Sequence, residues 1–293
     1  MAPRVVKTSE EKMKKDVAYW ESQYNNRAAV ADFQKYFDRW AARSAESRGS
    51  ARCYLDVPYG SHAMEKMDIF LPKGASRACL MFIHGGYWRA LDKKDHSFVA
   101  AELVKNGVTV AVPNYALCPA VTVEEIVRQI LQACAWLYRN GTNFGAPLGN
   151  LYVSGHSAGG HLTAMAMAAL FPVFQRDLPK KVVRGGLAIS GVYDLRDLVN
   201  VPSVNDDVRL KPPQAEKVSP LSYPPATDAP LYLAAGGKEL PPFLSQQAAF
   251  AAKWKKVVAA EIPCPYDHHF SILDGLADPS SALFRGAMEM MGL

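Results

Sequence analysis

The chain has 293 residues, of which 49% are hydrophobic and 21% charged, with a formal net charge of +5. That composition excludes disordered, collagenous and membrane-spanning classes and leaves one large α/β domain or two small ones. The positive excess lies in scattered lysines such as Lys12, Lys14, Lys15, Lys180 and Lys181, with no basic stripe interleaved with aromatics, so nucleic acid is not an expected partner. A solvated surface accounts for these charges better than an attraction to anionic substrates.

The five cysteines (Cys53, Cys79, Cys118, Cys134, Cys264) are odd in number, widely spaced and free of any C-x-x-C, which suggests neither a zinc site nor a disulfide framework. Residues 1–12 lack the apolar region of a signal peptide. The longest uncharged apolar stretch, 162–174, is too short to span a bilayer and carries Pro172. A reducing cytoplasm and no membrane are therefore expected.

In chain order, Thr8 followed by Glu11 forms a capping box that opens a helix running to about Tyr24. Phe33, Phe37, Trp40 and Ala41 then make one apolar stripe at helical spacing, read as a packing face rather than a binding surface. Both helices precede every strand signal, so residues 1–50 are expected to lie across the remainder, 51–293, as a helical extension that could cap a site. Strands are predicted at 53–57, 67–71, 78–83, 108–112, 151–153, 182–189, 231–235 and 258–262. Helices are predicted at 123–139, 157–170, 243–255 and 280–291. Strands alternating with helices imply an α/β fold whose central sheet is mostly parallel and wrapped on both faces. The proline-rich, charged segment 200–229 reads as an excursion over the active face.

Ligands of an open α/β sheet bind beyond the carboxyl ends of its strands, and three chemically loaded stretches fall there. The first is H-G-G-Y-W, residues 84–88, whose adjacent glycines let backbone N–H groups approach a ligand. The second is G-H-S-A-G, residues 155–159, after the apolar run 151–153. G-x-S-x-G arises by chance in roughly one chain in ten of this length, so its setting must decide. Here a strand precedes it and a helix follows, the context in which Ser157 would project from a sharp turn as a nucleophile.

A serine alcohol needs a base and a carboxylate to orient that base. Of the seven histidines, His84 belongs to the glycine turn, His156 neighbours the serine and must point elsewhere, and His161 reads as a structural hydrogen-bonder. His62 and His96 precede the serine, whereas the expected order is Ser, acid, His. That leaves the D-H-H-F stretch, residues 267–270. For the acid, the loop after strand 231–235 offers Glu239, with Asp228, Asp267 and Asp274 as competitors. A metal at Asp267-His268-His269 is not expected, because adjacent histidines point in different directions.

These residues resemble the α/β-hydrolase superfamily, in particular the branch of hormone-sensitive-lipase-type esterases and arylformamidases (kynurenine formamidases). H-G-G-Y-W is closer to the formamidases' H-G-G-x-W than to the esterases' H-G-G-G. Tyr24-Asn25-Asn26-Arg27, Tyr59-Gly60, Met67-Asp68-Ile69-Phe70, Tyr115-Ala116-Leu117-Cys118-Pro119, Ser190-Gly191-Val192-Tyr193-Asp194-Leu195 and His269-Phe270 are also similar to bacterial arylformamidase sequences. The resemblance spans about residues 20–290. It implies Ser157 as nucleophile, His269 as base and Glu239 as acid, the last a departure from the family's more usual aspartate. It also implies an oxyanion hole of backbone N–H groups at Gly86 and Ala158, with Gly85 or Tyr87 adding another.

No organic cofactor or metal is implied. The expected substrate is a small-molecule aryl amide, an N-formyl or N-acyl arylamine in the leading case, with Tyr87, Trp88 and Tyr193 lining the leaving-group side. The alternative is a carboxylesterase for short-chain or aryl esters. A third reading, an inactive small-molecule-binding homologue, is disfavoured because serine, acid and histidine are all retained. The only protein partner allowed for is a second copy of the chain in a homodimer.

Overall fold

The computed structural model describes residues 16–147 and 149–293; the Thr8–Glu11 capping box lies outside them. One sheet holds eight strands, β1 (Cys53–Pro58), β2 (Lys66–Phe70), β3 (Ala78–Ile83), β4 (Val108–Pro113), β5 (Leu151–His156), β6 (Gly186–Ile189), β7 (Leu231–Gly236) and β8 (Val258–Cys264). Their order is β1-β2-β4-β3-β5-β6-β7-β8. β2 runs antiparallel to β1 and β4, and every other pairing is parallel.

The continuous apolar runs of β3 and β4 follow from this placement. In β3, Cys79, Met81 and Ile83 point into the core on one face of the sheet, while Ala78, Leu80 and Phe82 point into the core on the other. A strand covered on both faces has no solvent side on which polar residues could alternate.

The helices are α1 (Val17–Tyr24), α2 (Asn26–Ala29), α3 (Phe33–Ser50), α4 (Ala100–Lys105), α5 (Val123–Asn140), α6 (Ala158–Met167), α7 (Phe171–Phe174), α8 (Pro202–Val208), α9 (Pro212–Lys217), α10 (Pro241–Lys253), α11 (Ser271–Asp274) and α12 (Ala282–Met290). Thr122 caps α5 by accepting from the Glu125 N–H at 3.2 Å, and Ile126, Ile130 and Cys134 carry its buried stripe into the first core. Ser281 caps α12 in the same way at 2.9 Å, and Leu283, Phe284 and Ala287 enter the second. Together they put helices on both faces.

The structure departs from the sequence expectation most clearly at β6, α6 and the 200–229 segment. β6 begins at Gly186 rather than at 182; Val182 and Val183 are buried as irregular chain, and periodicity cannot separate a buried loop from a buried strand. α6 stops at Met167 and Pro172 sits in the first turn of α7, where proline's missing N–H costs nothing. The 200–229 excursion contains α8 and α9, both opened by proline. Among the described residues, no helix is long and apolar enough to cross a membrane.

The N-terminal helices are tied to the carboxyl end of the sheet. Trp40 Nε1 donates to Asp274 Oδ1 at 3.1 Å, and Arg39 pairs with the same carboxylate. Tyr24 Oη donates to Asp197 Oδ2 at 3.2 Å. His268 Nδ1 accepts from the N–H groups of Phe270 and Ser271, which leaves its Nε2 to meet Tyr36 Oη at 3.0 Å.

Candidate active site

Ser157 sits between β5 and α6 with φ 58° and ψ −117°, a left-handed conformation that a non-glycine residue adopts only when its surroundings impose it. The small residues around it are what impose it. A Cβ on Gly159 would collide with the Ile83 carbonyl oxygen at the end of β3, so only glycine lets the helix start this close to the sheet. The turn holds Ser157 by its N–H, which donates to Ile189 O at 2.9 Å.

Ser157 Oγ donates to His269 Nε2 at 3.0 Å, and His269 Nδ1 donates to Glu239 Oε2 at 2.8 Å. All three residues are buried, at 4%, 3% and 7% exposure respectively. Glu239 Oε1 accepts from the Gly236 N–H at 2.8 Å and from Ser190 Oγ at 2.5 Å. A buried carboxylate needs such donors to offset its lost hydration. Ser190 was missed as a site residue by sequence reasoning; its position directly after the sixth strand was the available signal.

The competing acids are engaged elsewhere. Asp228 pairs with Lys181 at 2.8 Å on the surface. Asp267 accepts from Ser271 Oγ at 2.8 Å, and Asp274 holds Trp40 and Arg39. The other elbow and glycine-turn histidines have structural contacts. His161 joins Trp88 Nε1, at 3.2 Å, to the Val218 carbonyl, at 2.7 Å. His156 Nε2 donates to the His269 carbonyl oxygen at 2.6 Å. Burial, and secondarily the neighbouring His269, push the His156 imidazole well below its ordinary range.

The glycine turn lies against the elbow: a Cβ built on Gly85 would stand 3.1 Å from Ser157 Cβ. Gly86 has φ 101°, and a Cβ there would collide with the Ala90 carbonyl oxygen. Tyr87 and Trp88 follow with φ of 48° and 56°. Ala158 is the first residue of α6, where helical N–H groups have no intrahelical acceptor.

A cavity of about 410 Å³ opens on Ser157, His269 and Gly86. Its apolar wall includes Phe33, Phe37 and Trp40 from α3, with Tyr87, Leu91 and Phe270. The α3 stripe, expected to be packing alone, thus also faces the candidate site. Of the three predicted pocket residues, Tyr87 lines the cavity and its Oη donates to the Tyr24 carbonyl at 2.7 Å. Trp88 and Tyr193 do not. Trp88 is fully buried against His161, and Tyr193 is stacked on Phe250 with ring centroids 4.2 Å apart. Aromatic residues beside a motif fill the core as readily as a pocket, and one-dimensional proximity cannot tell which.

A family model, BD-FAE, matches residues 67–240. The chain is 27% identical to a kynurenine formamidase of Salmo salar over 92% of this chain and 93% of that one. It is 30% identical to a kynurenine formamidase of Drosophila melanogaster over 81% of this chain and 77% of that one. A crystal structure of a candidate thioesterase from Silicibacter sp. TM1040 superposes with a TM-score of 0.79 at 34% identity, covering 93% of this chain and 98% of the other. With a family model spanning more than half its length and relatives aligned almost end to end, the chain belongs to the BD-FAE family and is an α/β-hydrolase acting on amide or ester bonds.

Proposed function

We propose that Ser157, His269 and Glu239 are the nucleophile, base and orienting acid of a serine hydrolase that removes a formyl or other small acyl group from an arylamine. The observation that carries this reading is the buried relay from Ser157 Oγ through the His269 ring to Glu239, at 3.0 and 2.8 Å, open on one side to an aromatic-walled cavity. The kynurenine formamidase relatives supply the acyl group and the aryl amine.

In the proposed sequence, Ser157 Oγ bonds to the carbonyl carbon while its proton passes to His269 Nε2. The carbonyl π pair moves onto oxygen and is met by the N–H groups of Gly86 and Ala158, with Gly85 or Tyr87 adding a third donor. Such donors contribute about 3–4 kcal/mol each in the transition state. The carbon–nitrogen bond then breaks, the arylamine leaves with the proton from His269, and a Ser157 ester remains. Water loses a proton to His269, attacks that ester and releases the carboxylic acid, after which Ser157 regains its proton.

The described helices before β1, residues 17–50, serve as a cap in this proposal, since α2 and α3 contribute cavity wall, while 51–293 form the catalytic domain. The five free thiols suit a cytoplasmic enzyme. A second reading, hydrolysis of esters or thioesters by the same residues, is favoured by the candidate thioesterase at 34% identity. Rates of the purified protein on N-formyl-L-kynurenine, p-nitrophenyl acetate and an N-acetyl arylamine separate the two. Preference for the formamide that vanishes in Ser157→Ala supports the first reading, and ester preference supports the second. Activity that survives Ser157→Ala overturns both.

A further inference from the structure

Among the described residues, the cavity above Ser157 is lined by two arginines, Arg27 and Arg89, and by no aspartate or glutamate. Arg89 has a counter-ion outside the lining, Asp207 Oδ2, at 2.6 Å from its Nη1. Arg27, on the short helix α2 of the cap, makes no ion pair among the described residues. Its guanidinium instead lies 5.7 and 5.4 Å from the ring centroids of Phe33 and Phe37, two residues of the same cavity wall. These cation–π contacts hold the guanidinium against the cavity wall, and among the described residues its N–H groups meet no protein acceptor, which leaves them for a planar one.

Partial burial, and then the like charge of Arg89, lower the Arg27 pKa from its ordinary value, but a guanidinium stays charged at neutral pH. The neighbouring Asn26 is only 4% exposed, also lines the cavity, and has a buried Nδ2 with no hydrogen-bond partner. A buried donor left without an acceptor costs stability, so this is a position where a ligand oxygen would be gained at little expense. A surplus cation and an unsatisfied donor stand side by side on one cap segment.

We infer that Asn26 and Arg27 form a carboxylate-binding subsite, and that the enzyme prefers aryl substrates carrying an anionic carboxylate remote from the bond that is cut. This rests on reading the cavity above Ser157 as the substrate site. The scattered surface lysines have no part in it; the selectivity comes from two adjacent residues that the cap places over the cavity.

The test compares two pairs of substrates that differ in one charge: 3-formamidobenzoate against 3-methylformanilide, and 3-acetoxybenzoate against 3-methylphenyl acetate. The wild-type protein should favour the anionic member of each pair in kcat/KM, and the preference should shrink as salt rises from 20 to 500 mM. Arg27→Gln should lower the anionic-to-neutral ratio about tenfold, acting through KM, and Arg27→Lys should restore part of it. Equal rates on both members in the wild type, or a ratio unmoved by Arg27→Gln, would overturn the subsite. The wild-type comparison needs no variant to fold. If formamides are not cut at all, the amide reading fails while the ester pair still reports on the charge.

Discussion

His156 Nε2 lies 2.6 Å from the carbonyl oxygen of His269, so the residue preceding the proposed nucleophile holds the backbone of the proposed base. The carbonyl can only accept, which fixes the proton on Nε2 of His156. The two rings are also packed with centroids 4.8 Å apart. His156 is in this sense a positioning residue. His156→Ala should lower kcat about tenfold, because a loosened base misaligns proton transfer, with a smaller rise in KM from the ring it removes from the cavity wall. His156→Gln, which keeps an N–H donor on a side chain of similar reach, should recover part of the loss. Wild-type kcat in His156→Ala would reduce the contact to packing.

Glu239→Gln should cut kcat by about 10³–10⁴, since the neutral amide no longer stabilises the imidazolium or selects its tautomer. Asp228→Asn should stay near wild type, because that carboxylate is occupied by Lys181 at the surface. Steady-state rates on p-nitrophenyl acetate decide this. A Glu239→Gln enzyme within tenfold of wild type would remove Glu239 from the acid's role.

Gly86→Ala meets both a positive φ of 101° and a collision with the Ala90 carbonyl. The turn must shift to admit the methyl group, carrying its N–H groups away from the developing oxyanion. A loss of about 10² in kcat is expected, the cost of one displaced donor, together with a lower Tm. Calorimetry and single-turnover rates separate the two effects.

Phe37 is half-buried and its ring faces the cavity. Phe37→Ala should raise KM for aryl substrates about fivefold, the worth of one aromatic contact. A short aliphatic ester should be much less affected. Equal losses on both would mean that the cap has been displaced rather than trimmed.

Burial holds His84 at about 3 and His161 at about 4, both below the unfolded value near 6.5. Each therefore binds its proton more readily in the unfolded chain. The stability these neutral rings contribute is whole above about pH 6.5 and is lost as pH falls towards their native values, at about 1.4 kcal/mol per ring per pH unit. The midpoint for urea unfolding should drop steeply between pH 6.5 and 4.5. His161→Gln, though less stable at pH 7, should show a shallower slope by about one proton. An unchanged slope would mean that His161 is protonated in the folded protein.

All eight strands could be read from the sequence: the inner ones because burial on both faces writes itself as uninterrupted apolar runs such as 78–83, and the largely exposed edge strand β1 from its clustered strand-forming residues and the turn after it. The order Ser157, Glu239, His269 was legible for a related reason: a parallel sheet brings the ends of its strands together, so residues at successive strand ends are neighbours in space. Three things needed the tertiary structure. Trp88 and Tyr193 look like pocket residues in one dimension, but the direction in which a side chain leaves the backbone sends both into the core. The α3 stripe serves at once as core and as cavity wall, a double role that helical periodicity cannot divide between partners. The juxtaposition of Asn26 and Arg27 with Ser157, more than a hundred residues apart in the chain, arises only because hydrogen bonds from Tyr24, Trp40 and Tyr87 dock the N-terminal helices at the sheet's carboxyl end.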